Sequence, residues 1–343
     1  MSSKKSMEKV KELLEKRGRK AYEVAKEEIL NEEIEYEPLR HALQYFMQEL
    51  WHNFQHPALL SLTCESVGGK PEKTTSIGVA LILLTGAADI HDDIIDQSKT
   101  KGSKPTVFGK FGRDIALLAG DALLLKGSTL LSKACGGLPK KQGETIINLV
   151  EDAFFEIGIA EAKETSFKGN WDLAPEEYLD IIRMKAAIAD ATARIGAIIG
   201  GGSPEEIEAF GRYGRTLGIL ATIRDDFIDI FEPDEIKNRA ENECLPLPVL
   251  YVFRDQKVKN KITNILRKGE LREDDTYEIV QAITETENMQ VLKKEVQVLL
   301  ESSIQSLKIV ENREVTNNLE EMIRAMVEDL PVDPKPNQEL ARL

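Results

Sequence analysis

Six aspartates stand in two short groups of identical spacing. Asp92, Asp93 and Asp96 close the apolar run "IGVALILLTGAADI", and Asp225, Asp226 and Asp229 follow "GRTLGILA". On a helix, residues four apart share a face, so Asp92 points with Asp96 and Asp225 with Asp229. Like charges at that spacing cost roughly 0.2–0.5 kcal/mol on an exposed helix and more in a core. Two such groups, each ending a mostly apolar helix, read as oxygen ligands for hard divalent cations rather than as solvated helix ends. Magnesium suits them best, because it takes few protein carboxylates and completes its shell with water and ligand phosphate. Metal would cancel the repulsion and hold a diphosphate between the two groups.

The elements that must carry these groups are helices. Apolar residues recur three and four apart in "MEKVKELLEKRGRKAYEVAKEEIL", "ETIINLVEDAFFEIGIAEAKE", "NMQVLKKEVQVLLESSIQSLKIVE" and most stretches between them. Helix starts are marked by "SPEEIE" and "APEEYL", with Pro and acids in the first turn. No run alternates β-branched residues as a strand would. The segments 74–97 and 113–135 are nearly apolar on all sides, which predicts that both lie inside a large bundle. The reading is all-α, one domain over residues 1–331, with a flexible tail "VDPKPNQELARL" over 332–343.

Composition narrows the function. The chain has 343 residues, 45 Lys plus Arg and 59 Asp plus Glu, a net charge of −14. Such a surface argues against nucleic acid as a partner, though not against a small anion held by metal. Three scattered cysteines, Cys64, Cys135 and Cys244, form neither a disulfide framework nor a zinc site and suit a reducing compartment. The charged N-terminus lacks a signal-peptide core, and no run of ~18 uninterrupted apolar residues predicts a membrane span. A cytoplasmic protein is expected.

The two Asp-Asp-x-x-Asp groups resemble the aspartate-rich motifs of the trans-isoprenyl diphosphate synthase (polyprenyl synthetase) family. Ile90-His91 before the first group, Pro105-Thr106 after it and "GDALLLKG" at 120–127 add to the likeness, which spans roughly residues 30 to 330. The resemblance implies an all-α bundle of isoprenoid synthase type around a deep central cavity. It implies a prenyltransferase that ionises an allylic prenyl diphosphate with Mg2+, three ions with diphosphate bound, and condenses it with an acceptor. Lys185 in "RMKAAIADAT" matches the Lys that binds the allylic diphosphate, and Lys101 and Lys104 remain near the first group. The family is commonly dimeric; a homodimer is expected, with a heteromer with a paralogous prenyl synthase as the alternative.

The chain departs from the family where isopentenyl diphosphate binds. Asn53 and Phe54 of "WHNFQHPALL" stand where Lys and Arg are expected, Thr85 where a His is expected, and Lys101-Gly102 where an Arg pair is expected. His56 replaces an Arg and reads as structural; His41 and His52 read as surface or core polar residues, and Trp51 and Phe54 as core. Thr222 replaces a Gln, and "NRAENECLPLPVL" offers no Lys where the family has a Gly-Lys pair. Each lost charge-assisted contact is worth ~1.5–3 kcal/mol, so acceptor binding should weaken by orders of magnitude while the ionising machinery survives. Two further readings follow: a terpene synthase-like cyclase or lyase acting on one prenyl diphosphate, and a non-catalytic subunit of a heteromeric synthase.

The prenyl tail is expected to run from the first group back along its helix, past Ala88 and Ala87 to Leu84 and Leu81. In the family, aromatics four and five residues before the motif stop the tail at farnesyl length. Here both positions are Ala. One helix turn of ~5.4 Å matches about one isoprene unit, which predicts a chain of about C20 to C25.

Overall fold

The computed structural model describes residues 2–102, 104–284, 286–328 and 330, with side chains from Ser6 onward. The expected tail at 332–343 lies outside the described residues. In order come α1 (Ser2–Leu30), α2 (Glu37–Tyr45), α3 (Gln55–Ser66) and α4 (Thr75–Ile95). A hairpin of β1 (Thr100–Lys101) and β2 (Lys104–Pro105) leads into α5 (Val107–Phe111), α6 (Arg113–Gly136), α7 (Lys140–Ser166) and α8 (Pro175–Lys185). Then follow α9 (Ala187–Gly200), α10 (Pro204–Asp229), α11 (Pro233–Asn242) and α12 (Leu247–Val252). Of the helices α13 (Gln256–Leu266), α14 (Glu273–Thr284), α15 (Glu287–Ser306) and α16 (Arg313–Glu328), α15 packs on α10 and α12, α16 on α10, α14 on α12, and α13 on α14. The fold is all-α as read, except for the hairpin, whose antiparallel pairs Thr100–Pro105 and Lys101–Lys104 are too few to show alternation.

Two helices place the aspartates. The helix α4 ends at Asp96, whose amide donates to the Asp92 carbonyl, and Gln97 turns the chain away at φ 57°, with its side-chain amide on the Ile94 carbonyl. A residue in the left-handed region just past a helix is a regular stop signal. The helix α10 starts with a capping box, in which Ser203 Oγ accepts from the Glu206 amide and the Glu206 carboxylate accepts from the Ser203 amide.

The helices α4 and α6 lie antiparallel in close contact. A Cβ on Gly120 would stand 2.4 Å from His91 Nε2, and one on Gly127 would stand 2.9 Å from Leu84 Cγ. The two glycines are therefore slots for two side chains two turns apart on α4. Leu84 and Leu81 are buried in a core cluster among α4, α6, α7 and α9, lined partly by the small residues Ala80, Ala153, Ala187 and Ala191.

The expectation that both apolar helices are interior holds for α4 alone. By length and hydropathy alone both α4 and α6 are long and apolar enough to cross a membrane; 72% of the apolar window that includes α4 is buried inside the fold, and 33% of that in α6. Leu117, Leu118, Leu124 and Leu125 of α6 are exposed, with Phe155 and Ile159 of the neighbouring α7. Apolar periodicity records what a helix avoids, which is water, and does not say whether its own chain or another covers it.

Candidate active site

The first aspartate group closes α4 with its carboxylates turned inward. Asp93 is 1% exposed and Asp96 6%. The hairpin swings Lys101 back onto the helix, placing its Nζ 3.0 Å from Asp93 and 2.5 Å from Asp89, one turn earlier. Burial disfavours the Lys101 charge, but Asp89 and Asp93 outweigh it and raise its pKa. Burial pushes the Asp93 carboxyl up to about 8 against the pull of Lys101. It pushes Asp96 up to about 7, helped by Asp92 and opposed by Lys185 and Lys168. Lys168 Nζ lies 3.4 Å from Asp96 Oδ1 and donates to the Ile95 carbonyl.

Two oxygens of this group are buried and have no hydrogen-bond partner in the protein: Asp92 Oδ1 and Asp93 Oδ2. Orphaned buried carboxylate oxygens are costly unless a ligand completes them. Among the described residues no three carboxylate, imidazole or thiol groups converge into a ready-made cage. That donor set fits magnesium, which takes one or two carboxylates plus water and phosphate.

The second group is differently furnished. Asp225 is exposed, while Asp226 and Asp229 are buried. Asp226 Oδ1 accepts from Tyr178 Oη at 3.2 Å and from Arg239 Nη2 at 3.0 Å, and its Oδ2 accepts from the Leu247 amide at 2.8 Å. Arg239 Nη1 reaches Asp229 Oδ2 at 3.4 Å, and its Nε lies 3.3 Å from Glu243 Oε2. Burial raises the Asp226 carboxyl to about 6 against Arg239, and the Glu243 carboxyl to about 9.

The helix α11 joins the two groups. Asn238 Nδ2 donates to Glu243 Oε1 at 2.7 Å, to the Asp96 carbonyl at 3.2 Å and to Ser98 Oγ at 3.3 Å. The charges of Asp92 and Asp96 reach Glu243, and that of Asp92 reaches Glu161 and Lys185, so one field covers both groups. Lys185, at the last position of α8, places Nζ 3.0 Å from Glu161 Oε1 and pairs also with Glu164, both on α7. Burial opposes the Lys185 charge, but Glu164, Asp92 and Glu161 raise its pKa.

The other expected residues separate. Lys104 donates to the Glu49 carbonyl at 2.5 Å. Asn53 Oδ1 accepts from the Gln55 amide at 3.0 Å, which caps the start of α3, and Phe54 packs edge-on against Tyr22 and into the core. Thr85 donates back to the Leu81 carbonyl, and Thr222 likewise to Gly218. Gly102 sits at φ 58°, with nothing within 4 Å of a Cβ. His56 Nδ1 lies 3.1 Å from Thr192 Oγ1, whose own proton goes to the Ile188 carbonyl, so the imidazole donates from Nδ1. Burial lowers the His56 pKa to about 4. His41 and His52 are exposed, and Trp51 stacks on Phe46. Cavities of 470 and 400 Å³ flank α1 rather than the aspartates; around the latter, ion pairs bridge the facing helices.

Sequence reasoning missed Asp89, Glu161, Glu164, Lys168, Tyr178, Asn238, Arg239 and Glu243. Asp89 was visible as the i−4 partner of Asp93. Arg239 lay in the stretch searched only for a Lys. Glu161 and Glu164 look like the polar face of an amphipathic helix.

An all-α bundle that ends two core helices in linked carboxylate groups, with a lysine held nearby by two glutamates, is the architecture of an isoprenoid-type synthase. The polyprenyl synthetase family model matches residues 39–283, and the chain belongs to that family of prenyltransferases. It is 31% identical over 222 residues to the short chain isoprenyl diphosphate synthase of Methanothermobacter thermautotrophicus, covering 62% of this chain and 67% of the relative. It is 30% identical over 248 residues to the geranylgeranyl diphosphate synthase of Methanosarcina mazei, covering 69% of this chain and 73% of that one. The crystal structure of geranylgeranyl pyrophosphate synthetase from Pyrococcus horikoshii superposes with a TM-score of 0.80 at 25% identity, over 93% of this chain and 99% of the other.

Proposed function

We propose that the protein ionises an allylic prenyl diphosphate and transfers the prenyl group to an acceptor. The observation that carries this reading is the pair of orphaned buried oxygens, Asp92 Oδ1 and Asp93 Oδ2, at the end of the apolar helix α4. Asp92, Asp93 and Asp96, with Asp225 across the site, would hold Mg2+. Bound magnesium supplies charge neutralisation of the leaving diphosphate. Lys185 exchanges Glu161 and Glu164 for a diphosphate oxygen, and Lys168 stands ready at the edge of the first group. The prenyl tail runs along Ala88 toward Leu84 and Leu81, into the alanine-lined cluster; Ala87 is packed away from it, in the core cluster of Phe46, Leu83 and Ala119. A tail of about C20 to C25 fits the turn spacing and the geranylgeranyl names of the relatives.

A second reading rests on a separate observation. Where the family binds isopentenyl diphosphate, this chain has a helix cap in Asn53, a core aromatic in Phe54 and a back-bonded hydroxyl in Thr85. None can pair with a diphosphate trianion as Lys and Arg do. A cyclase or lyase acting on one prenyl diphosphate is therefore the alternative. Purified chain with Mg2+ and farnesyl or geranylgeranyl diphosphate, with and without isopentenyl diphosphate, separates them. Elongated product supports transfer; hydrocarbon or alcohol in the absence of isopentenyl diphosphate supports the alternative; inertness in both refutes both.

The exposed leucines of α6, with Phe155 and Ile159 of α7, form one apolar face that we assign to a second copy of this chain. Covering such side chains is worth roughly 1.5–3 kcal/mol each. Sedimentation of wild type and Leu118→Asp/Leu125→Asp tests it: a dimer that the variant converts to monomer is expected, and a monomeric wild type refutes it. Three free, buried thiols fit a cytoplasmic location.

A further inference from the structure

Arg239 joins three carboxylates of the second aspartate group and its surroundings. Its guanidinium is buried at 9% exposure and contacts Asp226, Asp229, Glu243 and the Tyr178 hydroxyl. Its Nε also donates to the Cys244 carbonyl at 2.9 Å. Asp226 is the more telling partner, because both of its oxygens already accept hydrogen bonds from Tyr178, Arg239 and the Leu247 amide. A divalent cation at Asp226 would have to displace a buried guanidinium or a backbone amide. The first group differs: there two oxygens are left without protein partners.

We propose that Arg239 is a built-in counter-ion that takes the place of a divalent cation at the second aspartate group. It holds Asp226 and Asp229 as structural carboxylates, and metal–diphosphate is engaged through the first group and Asp225. The guanidinium suits the role, since it stays charged when buried and its planar fork serves several carboxylates at once. The fixed charge also sets α11, whose Asn238 ties Glu243 to the Asp96 carbonyl and so spaces the two groups. The inference rests on the magnesium–diphosphate reading above, and it predicts fewer than three ions per bound diphosphate.

The test counts ions without turnover. Mn2+ binding to the purified chain, in the presence of inorganic diphosphate, is followed by the electron paramagnetic resonance signal of free Mn2+. Wild type is expected to bind fewer than three ions. Asp226→Asn is expected to bind the same number with an affinity within about threefold, and Asp92→Asn to lose an ion or weaken by about tenfold or more. Arg239→Gln, if it folds by circular dichroism, is expected to bind one ion more than wild type; the first three measurements decide the matter if it does not fold. Three ions on wild type, or loss of an ion from Asp226→Asn, overturns the inference and leaves the prenyl-transfer reading intact. An unchanged ion count in folded Arg239→Gln, with weakened diphosphate binding, overturns it by making Arg239 a phosphate ligand. No diphosphate-dependent Mn2+ binding by wild type overturns both.

Discussion

Lys185 Nζ lies 3.0 Å from Glu161 Oε1, so the lysine proposed to meet a substrate diphosphate is already neutralised by its own chain. Removing it leaves the buried Glu164 and the half-buried Glu161 without their cation. Breaking one side of a buried pair costs about 3–5 kcal/mol. Lys185→Ala should therefore lower the urea midpoint markedly and raise the KM for the allylic substrate. Adding Glu164→Gln should recover much of the stability but none of the KM. Equal recovery of both would show that Lys185 does not touch the substrate.

Asp92 behaves oppositely. Its Oδ1 is buried without a protein partner, so Asp92→Asn removes repulsion and breaks no hydrogen bond. Its melting temperature should equal or exceed that of wild type while kcat falls by about a thousandfold, the loss of ~4 kcal/mol of metal-borne stabilisation. A chelator should abolish activity and Mg2+ restore it. Full turnover in excess chelator would remove the metal from the mechanism.

Restoring an acceptor pocket is constrained by what the substituting residues now do. Phe54→Arg would empty a core position beside Tyr22, at a cost of about 3–5 kcal/mol. A Cβ on Gly102 meets no atom within 4 Å, but φ 58° costs about 1–2 kcal/mol for a side-chain residue. The tolerable pair is Asn53→Lys with Gly102→Arg, which should lower the KM for isopentenyl diphosphate or create condensation. A micromolar KM in wild type would mean that the pocket was never lost.

Tail length is read at Ala88, which is half-buried one turn before Asp92. With geranyl, farnesyl and geranylgeranyl diphosphates, wild type should use or make chains of about C20, and Ala88→Phe should stop near C15, one turn and one isoprene unit earlier. Identical length preference in both proteins would take the tail off this face.

The buried carboxyls make stability fall with pH. Glu243 is raised to about 9 and Glu161 to about 8, from 4.5 in an unfolded chain. Below 4.5 their contribution is fully present, and it is lost as pH rises toward 8–9, where the folded state must surrender protons it held. In chelator, the urea midpoint should be lower at pH 8.5 than at pH 5.5. Glu243→Gln should flatten that slope, and an unaltered slope would show that Glu243 does not titrate there.

What was legible in the chain follows from the range of the forces involved. The aspartate groups and their helices are local patterns, i to i+4, and the structure places them at the ends of α4 and α10 as read. The partners of those groups are not local. Lys101 reaches Asp89 through a four-residue ladder too short to show alternation, and Glu161 and Glu164 meet Lys185 across a helix pair. Arg239 sits ten residues after Asp229 in a stretch with no apolar period, where only the folded chain can say that its guanidinium turns inward. The exposure of α6 was hidden for another reason, since an all-round apolar helix has the same sequence whichever chain covers it.

Four cations at the site are each guarded: Lys101 by Asp89 and Asp93, Lys168 by Asp96, Lys185 by Glu161 and Glu164, and Arg239 by Asp226, Asp229 and Glu243. A bare polyphosphate would meet carboxylates before it met any lysine, whereas a metal ion would meet oxygens of Asp92 and Asp93 that nothing in the protein holds. On the reading proposed above, metal and diphosphate arriving together would supply the positive charge that lets the lysines turn from their carboxylates to phosphate oxygens. On the prenyl-transfer reading the site would act as a coincidence gate, shut to a bare polyphosphate and open to its metal-neutralised form.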